Sequence, residues 1–351
     1  MIRIASFIAA VLLLTACNDS NNIFNGRFRQ APEVGITDIA CERLGVEVPG
    51  GAVCYLADTL LVVHTPMNPE WFFSLYSLND FSLARQVVRV GNGPGEYPPY
   101  TLCNCDRPST ENGHVKMWVT DQSARRTLER IDLTRSLAEG RTVADSIVDV
   151  SEVRGQTSYW YPVGDRLWLN YCIDEGETYG EFGLLLYDAA AKEIIQRQPL
   201  YTRRHPDISL FSTAQTPSSD KTMWAGGMLS FPQINFIPLS DGKPDMKKAF
   251  SVSLDRHPVP LSEAAAANDI LPQLNSYLHI LPFADRFVAS YHATAESTEL
   301  HIFDDRGNLL HRLRLDCRVP YFDIDPASGA LYGLCSEQLV RADIGRWLHA
   351  E

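Results

Sequence analysis

A short segment recurs six times along this chain, and the recurrence limits the folds open to it. Asp58-Thr59-Leu60-Leu61-Val62-Val63 is followed by Val115-Lys116-Met117-Trp118-Val119-Thr120, Asp165-Arg166-Leu167-Trp168-Leu169-Asn170, Lys221-Thr222-Met223-Trp224-Ala225-Gly226, Asp285-Arg286-Phe287-Val288-Ala289-Ser290 and Gly329-Ala330-Leu331-Tyr332-Gly333-Leu334. Aligned on Leu60, Met117, Leu167, Met223, Phe287 and Leu331, the copies stand 57, 50, 56, 64 and 44 residues apart, and 351 residues leave no room for a seventh. Self-similarity at such periods marks a repeat architecture. Each copy has another short strand just upstream, at 52–56, 102–106, 159–163, 210–214, 278–283 and 321–325. Downstream comes a third strand that often ends in a polar turn, then a fourth: 73–79 leads to 85–90, 184–188 to 193–200, and 300–308 to 309–315.

Runs of four to seven apolar or alternating residues, punctuated by Gly, Pro, Asn and Asp, read as strands. Only 262–269, with its alanines, has helical character. Four strands per unit and six units predict an all-β chain, a six-bladed β-propeller with four antiparallel strands per blade. A blade has two apolar faces, and only neighbouring blades in a closed ring cover both. The last blade, with strands near 321–325, 330–335 and 338–344, is one strand short. An N-terminal strand from around 28–40 is expected to close it. A two-domain sandwich or a jelly roll does not account for six evenly distributed copies. The composition, 45% hydrophobic with 22 Gly and 21 Pro, excludes disorder and collagen-like repeats.

The chain opens with Met1-Ile2-Arg3, an apolar run over 4–14 broken only by Ser6, and then Thr15-Ala16-Cys17. Eleven residues are too few to cross a bilayer as a helix, which needs about 20, but they suit the apolar region of a signal peptide. Leu14-Thr15-Ala16-Cys17 resembles the lipobox of bacterial lipoproteins. That resemblance implies diacylglycerol on the Cys17 sulfur, cleavage before Cys17 and acylation of the new amine. The other reading is an ordinary secretory signal in which Cys17 is incidental. The expected division is residues 1–16 as signal peptide, 17–30 as a polar lipidated tether and 31–351 as one propeller domain.

With 31 basic and 43 acidic residues the net charge is −12, and no basic run is present. Nucleic acid, whose phosphates require clustered Lys and Arg, is therefore not an expected partner, and electrostatic adhesion to an anionic membrane is equally disfavoured. Eight Cys suit an exported chain better than a cytosolic one. Cys41 with Cys54 and Cys317 with Cys335 are the economical disulfide candidates, each closing a short loop. Cys103 and Cys105 share a strand face. They read either as a metal or redox pair or as two small apolar side chains in a core, and no His/Cys set at zinc spacing accompanies them.

Val90-Gly91-Asn92-Gly93-Pro94-Gly95-Glu96-Tyr97-Pro98-Pro99 resembles the G-x-G-P-G-[EQ]-[FY] connection of propellers built from NHL-like repeats. Met117-Trp118-Val119-Thr120-Asp121 and Leu128-Glu129-Arg130-Ile131-Asp132 follow at the family's spacing. Together with the lipobox, the chain resembles the TolB-like or NHL-like six-bladed propeller lipoproteins of Bacteroidetes-type envelopes. The match is good over about 88–133 and loose over 40–345. Gly91, Gly93, Pro94 and Gly95 read as a structural turn, because glycine permits positive φ and proline fixes its own. A phosphate cradle would need a following helix and a Lys-Ser/Thr, and both are missing.

No nucleophile elbow, H-E-x-x-H or EF-hand loop is present. Propellers bind ligands over the central channel. The loops that would wall it supply His64, Trp71, Asp121, Arg125, Trp160, Tyr171, Tyr291 and His292 as binding candidates, with Asp174, Met228, Phe231, Tyr97 and His279 nearby. Aromatic groups with a few polar ones suit a sugar, peptide or other partly apolar ligand. The same aromatics in any propeller can simply pack against each other. The expected function is a non-catalytic binding or scaffold module for a protein, peptide or glycan. It would be lipid-anchored in the cell envelope, on the outer membrane, with a monomeric domain and no cofactor or metal. The alternative is a metal-dependent hydrolase, lactonase or lyase in the channel, for which Asp106, Asp121, Asn170 and Asp323 are imaginable calcium ligands. On the lipobox reading, metabolic labelling with a fatty acid marks the chain, and Cys17→Ser abolishes the label and releases the protein from the membrane fraction. A label that survives that substitution excludes Cys17 as the anchor.

Overall fold

The computed structural model describes residues 22–104, 107–153, 156–174, 181–202, 208–270 and 276–349. Residues 1–16 and Cys17, with Cys105 and Asp106, lie outside the described residues. So do the side chains of Cys103, Cys172 and Asp174.

Six sheets follow one another along the chain. Blade 1 is Val53–Ala57, Leu60–His64, Trp71–Ser77 and Leu83–Arg89. Blade 2 has a split inner strand, Leu102–Asn104 and Ser109–Glu111, then His114–Asp121, Thr127–Asp132 and Ala144–Asp149. Blade 3 is Gln156–Pro162, Leu167–Asp174, Glu181–Asp188 and Glu193–Pro199. Blade 4 is Thr213–Pro217, Met223–Met228, Gln233–Ser240 and Phe250–Ser253. Blade 5 is Ser276–Phe283, Arg286–His292, Thr298–Asp304 and Leu309–Leu315. Blade 6 is Phe322–Ile324, Ala330–Cys335 and Gln338–Asp343, completed by Glu42–Glu47. The protein is a six-bladed β-propeller, and all six repeat anchors fall on the second strand of a blade.

The N-terminal strand closes the last blade, but from 42–47 rather than 28–40. Glu42–Glu47 pairs antiparallel with Gln338–Asp343. The segment at 28–40 has a different task. Arg27–Gln30 adds a parallel fifth strand to blade 4, along Phe250–Ser253, and Ile36–Ile39 adds one to blade 5, along Leu309–Leu315. The chain thus wraps the outer edges of three blades before it enters the ring. This also shortens the expected tether of 17–30. Ile23 and Phe24 are buried, and Phe24 bridges to Tyr201. The polar letters around them conceal a docked strand, because an outermost strand needs only backbone pairing and one covered face.

Six apolar clusters fill the six seams between blades. Side chains alternate across a strand, so each strand feeds two seams. On Glu181–Asp188, Leu184 and Leu186 pack toward blade 4 while Leu185 and Tyr187 pack toward blade 2. Sheets covered on both sides in this way read as nearly continuous apolar runs. Among the described residues, three α-helices and a 3-10 turn at Ile208–Phe211 accompany the strands. Leu261–Ile270 matches the expected helical stretch. Leu133–Glu139 is capped by the Asp132 carboxylate, which accepts from Arg135 N, and by Gly140 at φ 69°. Gly345–Leu348 ends the described chain.

Gly329 turns between the first two strands of blade 6 at φ +70°, and a Cβ there would lie 2.4 Å from the Gly345 Cα. Gly329→Ala combines a strained backbone with an immovable contact, so it should cost about 2 kcal/mol. The check is a lower urea midpoint at unchanged slope.

Candidate functional site: the central channel

The first strands of the blades surround a channel that holds a cavity of about 190 Å³. Its wall is drawn from the first strands of five blades and the residues beside them: Val53 and Tyr55, Tyr159 and Tyr161, and residues 213–216, 278–282 and 321–323. Arg107 from blade 2 and His64 and His279 complete the polar part of the lining.

Two polar systems occupy this wall. The first is a brace. Arg107 grips Asp323 with two nitrogens, Nη2 at 2.6 Å from Oδ1 and Nε at 3.2 Å from Oδ2, and Nη2 also donates to Ile324 O at 3.2 Å. Asp323 further accepts from Leu56 N and Ile324 N, both at 2.8 Å. One buried carboxylate therefore joins blades 1, 2 and 6. Burial pushes its pKa up, and Arg107 opposes that rise. Such a bidentate pair is strong and geometrically specific.

The second system has unused hydrogen-bonding capacity. His64 Nε2, Thr213 Oγ1 and Gln215 Nε2 are all buried and have no hydrogen-bond partner among the described residues. The Gln215 amide is fixed in orientation: Trp224 Nε1 donates to its Oε1 at 3.2 Å, which leaves the NH2 as donor. Its backbone carbonyl accepts from Tyr161 Oη at 2.5 Å. A buried polar atom left unpaired is costly, about 1–3 kcal/mol, and such groups commonly sit where water or ligand completes them.

Of the eight sequence candidates, His64 lines the cavity. Trp71 lies instead in a groove between the blade 1 edge and the helix Leu133–Glu139. Asp121 pairs with Arg125 at 3.1 Å, and Arg125 donates to Glu96 O at 2.8 Å and lies 5.3 Å over the Tyr97 ring. Trp160 is buried in the seam of blades 2 and 3, and Tyr171 in that of blades 3 and 4, where it donates to Phe211 O. Tyr291 stacks on His301 in the seam of blades 4 and 5. His292 is fully buried against Thr298 Oγ1 at 3.3 Å. Among the nearby group, Met228 and Phe231 are core and Tyr97 is buried, donating to Glu129 Oε2 at 2.6 Å, whereas His279 lines the cavity. Asn170 donates to Tyr159 O at 2.6 Å, so it, Asp121 and Asp323 are each engaged separately.

The turn at 91–95 uses its glycines unequally. Only Gly95 has positive φ, at 73°. Gly91 and Gly93 make room for Glu96, whose Oε2 accepts from Gly93 N at 2.8 Å and would lie 2.1 Å from a Cβ on Gly91. The disulfide candidates Cys41, Cys54, Cys317 and Cys335 are all free thiols. Cys54 is buried between blades 1 and 6 and its thiol faces Tyr332 O at 3.3 Å, while Cys41 lies beside Cys317. Short loops do not decide pairing here, because Cys41 sits on the outer edge of the ring and Cys54 on an inner strand.

No family model and no curated protein matches the chain. Solved structures similar to it include two from Bacteroides. One is a member of the DUF4221 family from Bacteroides vulgatus ATCC 8482, with TM-score 0.54 and 10% identity, covering 89% of this chain and 97% of that one. The other is a protein of Bacteroides fragilis NCTC 9343 named as a candidate for export, with TM-score 0.51 and 10% identity, covering 92% of this chain and 96% of that one. At that identity the likeness is one of fold. Among the described residues no helix is long and apolar enough to cross a membrane.

Burial lowers the pKa of His64 and His279 to about 4, and burial with the nearby Arg318 does the same to His292. Unfolded histidine titrates near 6.5. Between these values the unfolded chain binds protons that the folded chain refuses, so stability is full above pH 6.5 and falls as pH drops toward 4. Denaturant midpoints measured across pH 4–7 should decline through that window, and His64→Gln should flatten the decline by its share.

Proposed function

We propose that this chain is a cell-envelope lipoprotein whose propeller is a non-catalytic binding module, and that the channel takes one small, neutral, partly apolar unit of its ligand. A single sugar ring, or an amino-acid-sized end of a peptide, has the right size and chemistry. The observation that carries the reading is a cavity of about 190 Å³ walled by Tyr55, Tyr159, Tyr161 and Tyr321, whose lining residues His64, Thr213 and Gln215 each carry a buried polar atom with no hydrogen-bond partner among the described residues. Neutral His64 and the Gln215 NH2 form directional hydrogen bonds without a net charge, and tyrosine rings offer an apolar face. Arg107 is committed to Asp323, so the wall does not present a strong anion site. Anchoring at Cys17 and an outer-membrane location rest on the lipobox. The TolB-like or NHL-like affinity rests on the turn at 90–99. A similar fold in a protein named as an export candidate agrees with an exported location.

The test is calorimetric titration of the purified chain with monosaccharides, N-acetylated sugars and free amino acids. A ligand of this class should bind wild type, and Gln215→Leu and Thr213→Val should each weaken it about tenfold, the equivalent of one buried hydrogen bond. Binding indifferent to both substitutions removes the channel from the function, and turnover of a bound lactone or glycan replaces the binding module with an enzyme.

A further inference from the structure

The seam between blades 5 and 6 brings together sulfur atoms from three distant parts of the chain. Cys41 lies where the N-terminal segment steps from the edge of blade 5, at Ile36–Ile39, to the edge of blade 6, at Glu42–Glu47. Cys317 lies just beyond the last strand of blade 5, Leu309–Leu315, and Cys335 ends the second strand of blade 6. Cys317 and Cys335 are buried in one apolar cluster and Cys41 packs against it. Cys41 Sγ, Cys317 Sγ and a carboxylate oxygen of Asp316 lie within 4.8 Å of one another. The crossing is held in register by two bonds, Asp316 N to Ile39 O at 3.2 Å and Cys41 N to Asp316 Oδ1 at 2.9 Å. Cys317 is the common neighbour of the group, with the thiols of Cys41 and Cys335 both beside it.

We propose that Cys317 forms a disulfide with Cys41, which ties the closing segment covalently to the ring, and that Cys335 stands by as a resolving thiol able to take Cys41's place. The bond joins residues far apart in sequence, beside the backbone pairing of Glu42–Glu47 with Gln338–Asp343 that closes the ring. The thiols are not equivalent. The neighbouring Cys41, with Cys335 and Arg43, favours the Cys317 thiolate against its burial and the Asp316 carboxylate, while Cys317 and burial push the Cys41 thiol up. Cys317 is therefore the attacking sulfur, since the thiolate is the nucleophile. The oxidant is a disulfide donor. The Cys317 thiolate attacks one donor sulfur and expels the other as a thiolate. Cys41, giving up its proton, then attacks Cys317 Sγ and expels the remaining donor sulfur. Two thiols are oxidised and one donor disulfide is reduced. Attack by the Cys335 thiolate on Cys317 Sγ expels the Cys41 thiolate with no net change of oxidation state.

Peptide mapping of the full chain tests this, after equilibration with glutathione disulfide, blocking of free thiols and digestion without reductant. The expected product is a linked pair of peptides carrying Cys41 and Cys317, with Cys335 alkylated. Cys41→Ser should move the link to Cys317–Cys335, Cys317→Ser should abolish both links, and Cys54→Ser should leave the first unchanged. A Cys41–Cys54 link overturns the proposal, as does alkylation of all three thiols after oxidation. So does stoichiometric retention of Zn²⁺ that shields Cys41 and Cys317 from the blocking agent, which would make the cluster a metal site.

Discussion

Closure of the ring rests on one stretch of backbone pairing, between Glu42–Glu47 and Gln338–Asp343. Each of the other blades is built from hairpins formed close in sequence. Blade 6 alone needs the two ends of the chain to meet, and until they do the seams on either side of it remain open. The apolar clusters of those two seams include Leu44, Val340, Leu339 and Ile344, all beside the closing strand. Contacts of such long range are slow to form, because loop closure precedes any reward from packing. Reinforcement accordingly collects here. The segment before the closing strand adds two further edge pairings, and Asp323 binds blades 1, 2 and 6 from the channel side.

Much of this architecture is visible in the residues themselves. The six anchors lie on second strands because that strand is buried on both faces in every blade and so keeps its apolar letters. The helix Leu133–Glu139 was less visible. Asp132 and Gly140 are ordinary helix start and stop residues, but the strand ending at Asp132 already accounts for the first of them. The edge strands at 27–30 and 36–39 leave almost no trace, since Arg27, Arg29, Thr37 and Asp38 satisfy the sheet with backbone atoms and keep their side chains in water.

The channel was legible only in part, for a related reason. Aromatics such as Tyr171, Tyr291 and Trp160 stand out in the sequence as loop residues, yet they lie on strands and fill seams, because a large ring gains most where two sheets bury it. The lining comes from the first strands, where Thr213, Gln215 and Leu278 are inconspicuous. Reading those strands at period two would have separated Tyr159 and Tyr161 from Trp160, though not Thr213 and Gln215 from Ala214, which lines the cavity as well. For the tyrosines the signal lay in alternation along a strand already recognised, and residue type alone hid it.

The early docking of the chain has a mechanical corollary. Ile23 and Phe24 are already seated at the outer edge of blades 3 and 4, so a lipid on Cys17 would leave only five residue steps to Asn22. Even fully extended, at about 3.5 Å per residue, that leash reaches roughly 17 Å. The disc would then stand on its rim at the bilayer, like a wheel on a road. Both mouths of the channel would face sideways along the membrane plane, open to partners diffusing past.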